Sequence, residues 1–135
     1  MANQKSVLLV DDDVEVCELM TMMLSMNGIE IDVCLSASEA MLIIHEYSML
    51  ILDMDLGESL TGLDLARSYK AARPDGLVIL VTGNHRNAST SDVDLCILKP
   101  ISFSKFPSII KLGLDTGSFQ PVARPVADVV SFASL

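Results

Sequence analysis

Five side chains, those of Asp11, Asp12, Asp53, Thr82 and Lys99, carry the chemistry suggested by this sequence. Asp11 and Asp12 follow the apolar run Val7 to Val10, and Asp53 follows Met49 to Leu52, with Asp55 two positions on. Thr82 follows Leu77 to Val81, and Lys99 follows Leu95 to Leu98. Each residue alone has an ordinary explanation: aspartate after a strand is a common helix cap, threonine is common in strands, and a lone lysine is commonly solvated. Four apolar runs that all end in such residues are much harder to assign to chance. Three carboxylates drawn into one cleft repel unless a cation sits among them, and oxygen ligands with room for several waters suit Mg2+. A divalent cation, a lysine ammonium and a threonine hydroxyl can together neutralise the equatorial oxygens of a transferring phosphoryl group. The residues point to phosphoryl transfer onto Asp53, either as the nucleophile of a hydrolase or as a signalling acceptor.

That convergence requires the apolar runs to be strands of one open parallel sheet, whose ligand crevice lies at the carboxyl ends of the strands. Val7 to Val10 has the continuous apolarity of a strand covered on both faces. Val14 to Met26 places Val16, Leu19, Met20, Met23 and Met26 at helical spacing and stops at Asn27-Gly28, with Asp13 as its cap and the helix methionines expected on the sheet. Ile29 to Leu35 reads as a second strand. Ser36 to Glu39 has the form of a capping box, and Ala37, Ala40, Met41 and Ile44 continue it as a second helix. Thr61 caps a third helix that runs to about Ala72, before Arg73-Pro74-Asp75-Gly76. The stretch from His85 to Asp94 has little apolar periodicity, so any helix there is expected to be short. A last helix starts near Ser104, tolerates Pro107 in its first turn, and lines up Phe106, Ile109, Ile110 and Leu114. Five βα repeats predict a parallel sheet wrapped on both faces.

Composition bounds the rest. At 135 residues, 50% hydrophobic and 20% charged, the chain is expected to form one globular domain with a largely aliphatic core. Its net charge of −9 would repel a nucleic-acid backbone. Cys17, Cys34 and Cys96 form no CxxC pair and read as reduced, buried thiols, which fits a cytoplasmic protein. No window has the apolar length of a signal peptide or membrane span.

The motifs VLLVDDD, LILDMDL, LVILVTG and LCILKPI, in this order, resemble those of the response-regulator receiver domain of two-component signalling over roughly residues 5 to 114. The resemblance implies an α/β, flavodoxin-like, doubly wound five-stranded parallel sheet of order 2-1-3-4-5. It implies Asp53 as phosphoacceptor, with Thr82 bonding the phosphoryl group and Lys99 pairing with it. Mg2+ would be held by Asp12 and Asp53, by the Asp55 backbone carbonyl, and by Asp11 largely through water. The implied phosphodonor is a sensor histidine kinase or a histidine phosphotransfer domain, and the implied output is a downstream protein target. Such a domain is a signalling module rather than an enzyme, with slow self-dephosphorylation. The Lys99-Pro100 bond is expected to be cis.

LDMDLG also resembles the D-x-D pair of haloacid-dehalogenase-like phosphatases, with VTGN and Lys99 as their later motifs. Those enzymes place their acidic metal pair after the lysine, where this chain offers only Asp115 and Asp128. Three features depart from the receiver pattern. Cys96 stands where receivers commonly have an aromatic residue, the Thr82-to-Lys99 interval is short enough to imply a shortened or irregular fourth helix, and Gly57 replaces a common proline in a loop expected to be loose. These leave a phosphorylation-independent pseudo-receiver as the alternative. Gly83 is expected to leave room for an incoming imidazole or water, with Asp55 and Asn84 flanking the entrance. His45 and His85 do not read as phosphodonors. Residues 1–114 form the expected receiver domain and 115–135 a tail, flexible or docking, with no sequence left for a second output domain.

Overall fold

Period-two burial in the aliphatic runs decides how the chain layers. The computed structural model describes residues 5–83, 91–119 and 129–130. Strands β1 (Lys5–Val10), β2 (Asp32–Cys34), β3 (Tyr47–Asp53), β4 (Leu77–Thr82) and β5 (Leu95–Leu98) pair in parallel in the order 2-1-3-4-5. Val7, Leu9, Met49, Ile51, Ile79 and Ile97 face one side, where helices α1 (Val14–Ser25) and α4 (Phe106–Thr116) cover them. Leu8, Val10, Leu50, Leu52, Val78 and Leu80 face the other side, under α2 (Ala37–Ala40) and α3 (Gly62–Ala72). With both faces buried, the strands gain nothing from polar alternation, which is why they read as continuous apolar runs.

The helix starts are chemically explicit. Asp13 accepts from the Glu15 and Val16 amides at 3.0 and 3.3 Å to begin α1. In α3, Thr61 and Asp64 form a reciprocal capping box. α4 carries Pro107 in its first turn, where a missing amide costs nothing.

The molecule differs from the sequence expectations in several places, among them Leu114 of α4, which is exposed while Gly113 takes the buried position beside it. In α1, Met20 and Met23 are buried, but Met22 and Met26 are exposed and Leu19 is 42% exposed, because Cys17 and Leu24 complete the core stripe. β2 is only three residues long. The second helix stops after Ala40, and the chain continues with tighter i→i−3 bonds, Leu42 to Glu39, Ile43 to Ala40 and Glu46 to Ile43, ending in the 3-10 turn Ile44–Glu46. The tighter form rises further per residue and so carries the chain to the start of β3. Finally, Phe119, in what the sequence presents as unpatterned tail, is buried in the core with Met49 and Gly113.

The fourth helix was expected over a stretch that falls largely on residues 84–90, outside the described residues, and 91–94 form a turn and bend. A two-residue strand β6 (Val129–Val130) pairs antiparallel with β5, Ile97 opposite Val129 and Cys96 opposite Val130. The backbone groups of an edge strand offer such a segment unused hydrogen bonds. The rest of the tail beyond Phe119 lies outside the described residues. No described helix is long and apolar enough to cross a membrane.

Candidate functional site

The carboxyl ends of β1, β3, β4 and β5 meet on one rim, and the polar residues singled out from the sequence sit there. β1 ends at Val10, in register with Leu52, so Asp11 lies beside Asp53; Val81 is the register partner of Asp53 and carries Thr82 next to it. Leu98 pairs with Thr82, and the Lys99 amide donates to the Thr82 carbonyl at 3.0 Å. Asp11, Asp53 and Thr82 are the buried polar residues of the described chain, an unusual residence for two carboxylates.

Carboxylate oxygens of Asp11, Asp12 and Asp53 lie within 4.8 Å of one another. Among the described residues, the cation bonded to this group is Lys99, whose Nζ is 3.4 Å from Asp53 Oδ1 and whose side chain is 44% exposed. Asp53 Oδ1 also accepts from the Asp55 amide at 3.4 Å, and Asp11 Oδ1 accepts from the Asp13 amide at 2.9 Å. Burial pushes the Asp11 carboxyl up to about 6, with the Asp53 and Asp12 charges adding to the rise and the Asp13 amide and Lys99 opposing it. The Cys17 thiol, which donates to the Asp11 carbonyl at 3.3 Å, is pushed up to about 11 by burial and by the same carboxylates. This rim therefore holds more negative charge than its own side chains balance.

That donor set fits a hard divalent cation. Three carboxylates of graded exposure, two buried and Asp12 open, leave one side of the cluster for water. The Asp55 side chain is exposed and is not a member of the cluster; the expectation for that residue concerned its backbone carbonyl. Asp13 serves the α1 cap instead. An apolar cleft of about 350 Å3 between α1 and the Lys99 to Phe103 segment opens onto Asp11, Asp53 and Lys99, so Asp53 is reachable despite its burial.

Among the departures noted in the sequence, Cys96 is fully buried and pushed up to about 11 by burial. The Lys99-Pro100 bond is cis. A Cβ added at Gly83 would meet nothing among the described residues, so the opening there does not require glycine. His45 is exposed in the 3-10 turn; Asn84 and His85 lie outside the described residues.

Sequence reasoning missed Glu58. Its carboxylate, on the loop after Asp53, accepts from the Ala37 amide at 2.6 Å and the Ser38 hydroxyl at 3.2 Å. The loop expected to be loose is thus tied to the start of α2. Nothing local signals a bond between residues 21 positions apart.

The response regulator receiver domain family model matches residues 7–111. A CheY-like receiver domain protein from Methanospirillum hungatei superposes with a TM-score of 0.75 at 24% identity, over 85% of this chain and 97% of that one. The Thermotoga maritima response regulator TrrA, solved in complex with Mg2+-BeF, matches at 27% identity and TM-score 0.72, over 81% of this chain and 98% of that one. The receiver domain of NtrX from Brucella abortus matches at 26% identity and TM-score 0.72, over 82% and 98%. No curated protein sequence matches the chain.

Proposed function

The chain belongs to the response regulator receiver domain family, and from that premise we propose that it accepts a phosphoryl group on Asp53 from a phosphohistidine of a sensor kinase or histidine phosphotransfer partner. The observation that carries this reading is the convergence of the Asp11, Asp12 and Asp53 carboxylates within 4.8 Å, with the Lys99 ammonium 3.4 Å from Asp53. Receiver domains are signalling modules of two-component systems, and the relative TrrA was solved with Mg2+ and a beryllium fluoride.

In this mechanism a carboxylate oxygen of Asp53 attacks the phosphorus of the phosphohistidine. The new O–P bond forms as the P–N bond breaks, and the imidazole leaves with the bonding pair. Asp12, Asp53 and the Asp55 backbone carbonyl, with Asp11 largely through water, would hold Mg2+, which when bound would supply positive charge to the phosphoryl oxygens. Lys99 supplies the protein's own cation on the other side of Asp53, and Thr82, buried at the end of β4, donates its hydroxyl to the phosphoryl group. The cleft beside Asp53 admits the donor ring. Phosphorylation replaces the Asp53 carboxylate by an acyl phosphate carrying about −1.5 to −2, which biases the surface presented to a downstream protein in the cytoplasm. Slow hydrolysis of the acyl phosphate resets it.

The receiver unit in this reading extends past the expected 1–114 boundary to Phe119, because α4 runs to Thr116 and Phe119 is buried in the core, and the remainder of 115–135 is a tail. Burial of Cys96 favours one rival: without an aromatic residue there, the domain acts as a binding module that phosphorylation does not switch.

Intact mass after incubation with Mg2+ and acetyl phosphate tests the proposal. The expected result is one phosphate-sized increment on the wild type, absent in Asp53→Asn and abolished by EDTA. No increment under any condition would favour the binding module. Steady release of free phosphate without a trapped adduct would favour hydrolysis.

A further inference from the structure

The loop after Asp53 passes over the cation cluster by a route only glycine permits. Gly57 has φ of 70°, in the left-handed region, and a Cβ placed on it would stand 2.7 Å from Asp12 Oδ2. The Gly57 backbone is therefore packed directly against the most exposed of the three carboxylates. One residue later, Glu58 bonds through both carboxylate oxygens to α2, at the Ala37 amide and the Ser38 hydroxyl. α2 is fixed in turn, since Ala37 and Ala40 are fully buried against the sheet and Ser36 accepts from the Glu39 amide at 3.3 Å.

We propose that Gly57 and Glu58 are positioning residues for the cation site, together holding the Asp12 carboxylate toward Asp11 and Asp53. This rests on the Mg2+ reading above. Asp12 is exposed and carries no hydrogen bond that fixes its side chain among those between described residues, whereas Asp11 is fixed by the Asp13 amide and Asp53 by Lys99 and the Asp55 amide. Left alone, an exposed carboxylate facing two like charges would rotate toward water. The Gly57 backbone limits that rotation by contact, and the Glu58 tether keeps the backbone in place. Glu58 adds no ligand itself, because its two oxygens are already used on α2. Loss of a partner that orients a metal ligand typically costs about 10- to 100-fold in affinity.

Calorimetric titration of Mg2+ into the EDTA-treated full chain, alongside thermal unfolding in EDTA, separates positioning from general stability. Gly57→Ala is expected to weaken Mg2+ binding by about tenfold or more, since the methyl displaces Asp12, and Glu58→Ala by about three- to tenfold. Glu58→Gln keeps an acceptor for the Ala37 amide while removing the charge, so it is expected to bind within about twofold of the wild type. Gly57→Ala is expected to lower the metal-free melting temperature as well, since φ of 70° strains any side chain, so the separation rests on Glu58→Ala, whose metal-free melting temperature should change little. Wild-type affinity in both Gly57→Ala and Glu58→Ala would overturn the proposal. An equal loss in Glu58→Gln and Glu58→Ala would also overturn it, by showing that Glu58 acts through its charge alone. A wild type that binds no Mg2+ would overturn the underlying site reading, and the positioning role with it.

Discussion

The two rims of the sheet treat their polar side chains in opposite ways. At the amino-end rim, among the described residues, Lys70, Arg73, Asp94 and Asp32 each have a bonded partner. Lys70 Nζ is 2.8 Å from Asp94 Oδ2 and donates to the Gly76 carbonyl at 2.5 Å, while Asp94 also accepts from the Val78 amide at 2.8 Å. Tyr69 and Arg73 both donate to the Tyr47 carbonyl at 2.8 Å, and the Tyr47 hydroxyl donates to Asp32 at 2.7 Å. These bonds lock the end of α3 to the starts of β3, β4 and β5. At the carboxyl-end rim three carboxylates face one lysine. The difference teaches that polar residues at one edge hold the fold together, while those at the other store a negative imbalance that a cation relieves and that prepares the site to neutralise an incoming phosphoryl group. Functional sites are where local rules of charge balance are expected to fail.

The sharpest way to break the contrast is to damage the balanced rim. A Cβ at Gly76 would collide with the Tyr69 ring and hydroxyl, so Gly76→Ala should cost about 3 kcal/mol in denaturant unfolding. Asp94→Ala leaves the largely buried Lys70 ammonium and the Val78 amide without their carboxylate, and should cost about 2 kcal/mol in the same measurement. At the unbalanced rim the sign reverses. Because burial and its neighbours raise the Asp11 carboxyl from 3.8 to about 6, the folded protein binds a proton that the unfolded chain releases between these values. Asp11 therefore contributes its full stability below about pH 4 and loses it as pH rises through 6. Without Mg2+ at pH 7.5, Asp11→Asn should be more stable than the wild type by about 1 to 2 kcal/mol, and the gap should close toward pH 4. Lys99→Met removes the cluster's cation; since that ammonium is half-exposed, the loss should stay below about 1 kcal/mol and shrink with added salt.

Much of this contrast was legible in the sequence, for a physical reason. Strands buried on both faces must be apolar throughout, so Asp53, Thr82 and Lys99 stand out as the first polar residues after Leu52, Val81 and Leu98. The cap of α1 at Asp13 and the Thr61 box were readable because a cap bonds within three residues. What failed to read depends on distant partners. Leu19 and Met26 fit the helical stripe, but which arc of α1 faces the sheet is set by how it packs, and Cys17 and Leu24 won those places. Phe119 becomes core only because the chain turns back after α4 onto Met49 and Gly113. Asp94, inside a stretch that reads as loop, is the anchor of the amino-end rim only through Lys70 and Val78.

The most direct test of the contrast is thermal unfolding with and without Mg2+ in the wild type, Asp53→Asn and Asp94→Ala. A ligand that binds only the folded state raises its stability by RT ln(1 + L/Kd), where L is the free ligand concentration, so the rise grows with that concentration. The account expects a clear Mg2+-dependent rise in the wild type, the same rise from a lower starting point in Asp94→Ala, and little or none in Asp53→Asn. An equal rise in Asp53→Asn, or none in the wild type, would contradict the claim that the carboxyl-end rim holds charge in wait for a cation.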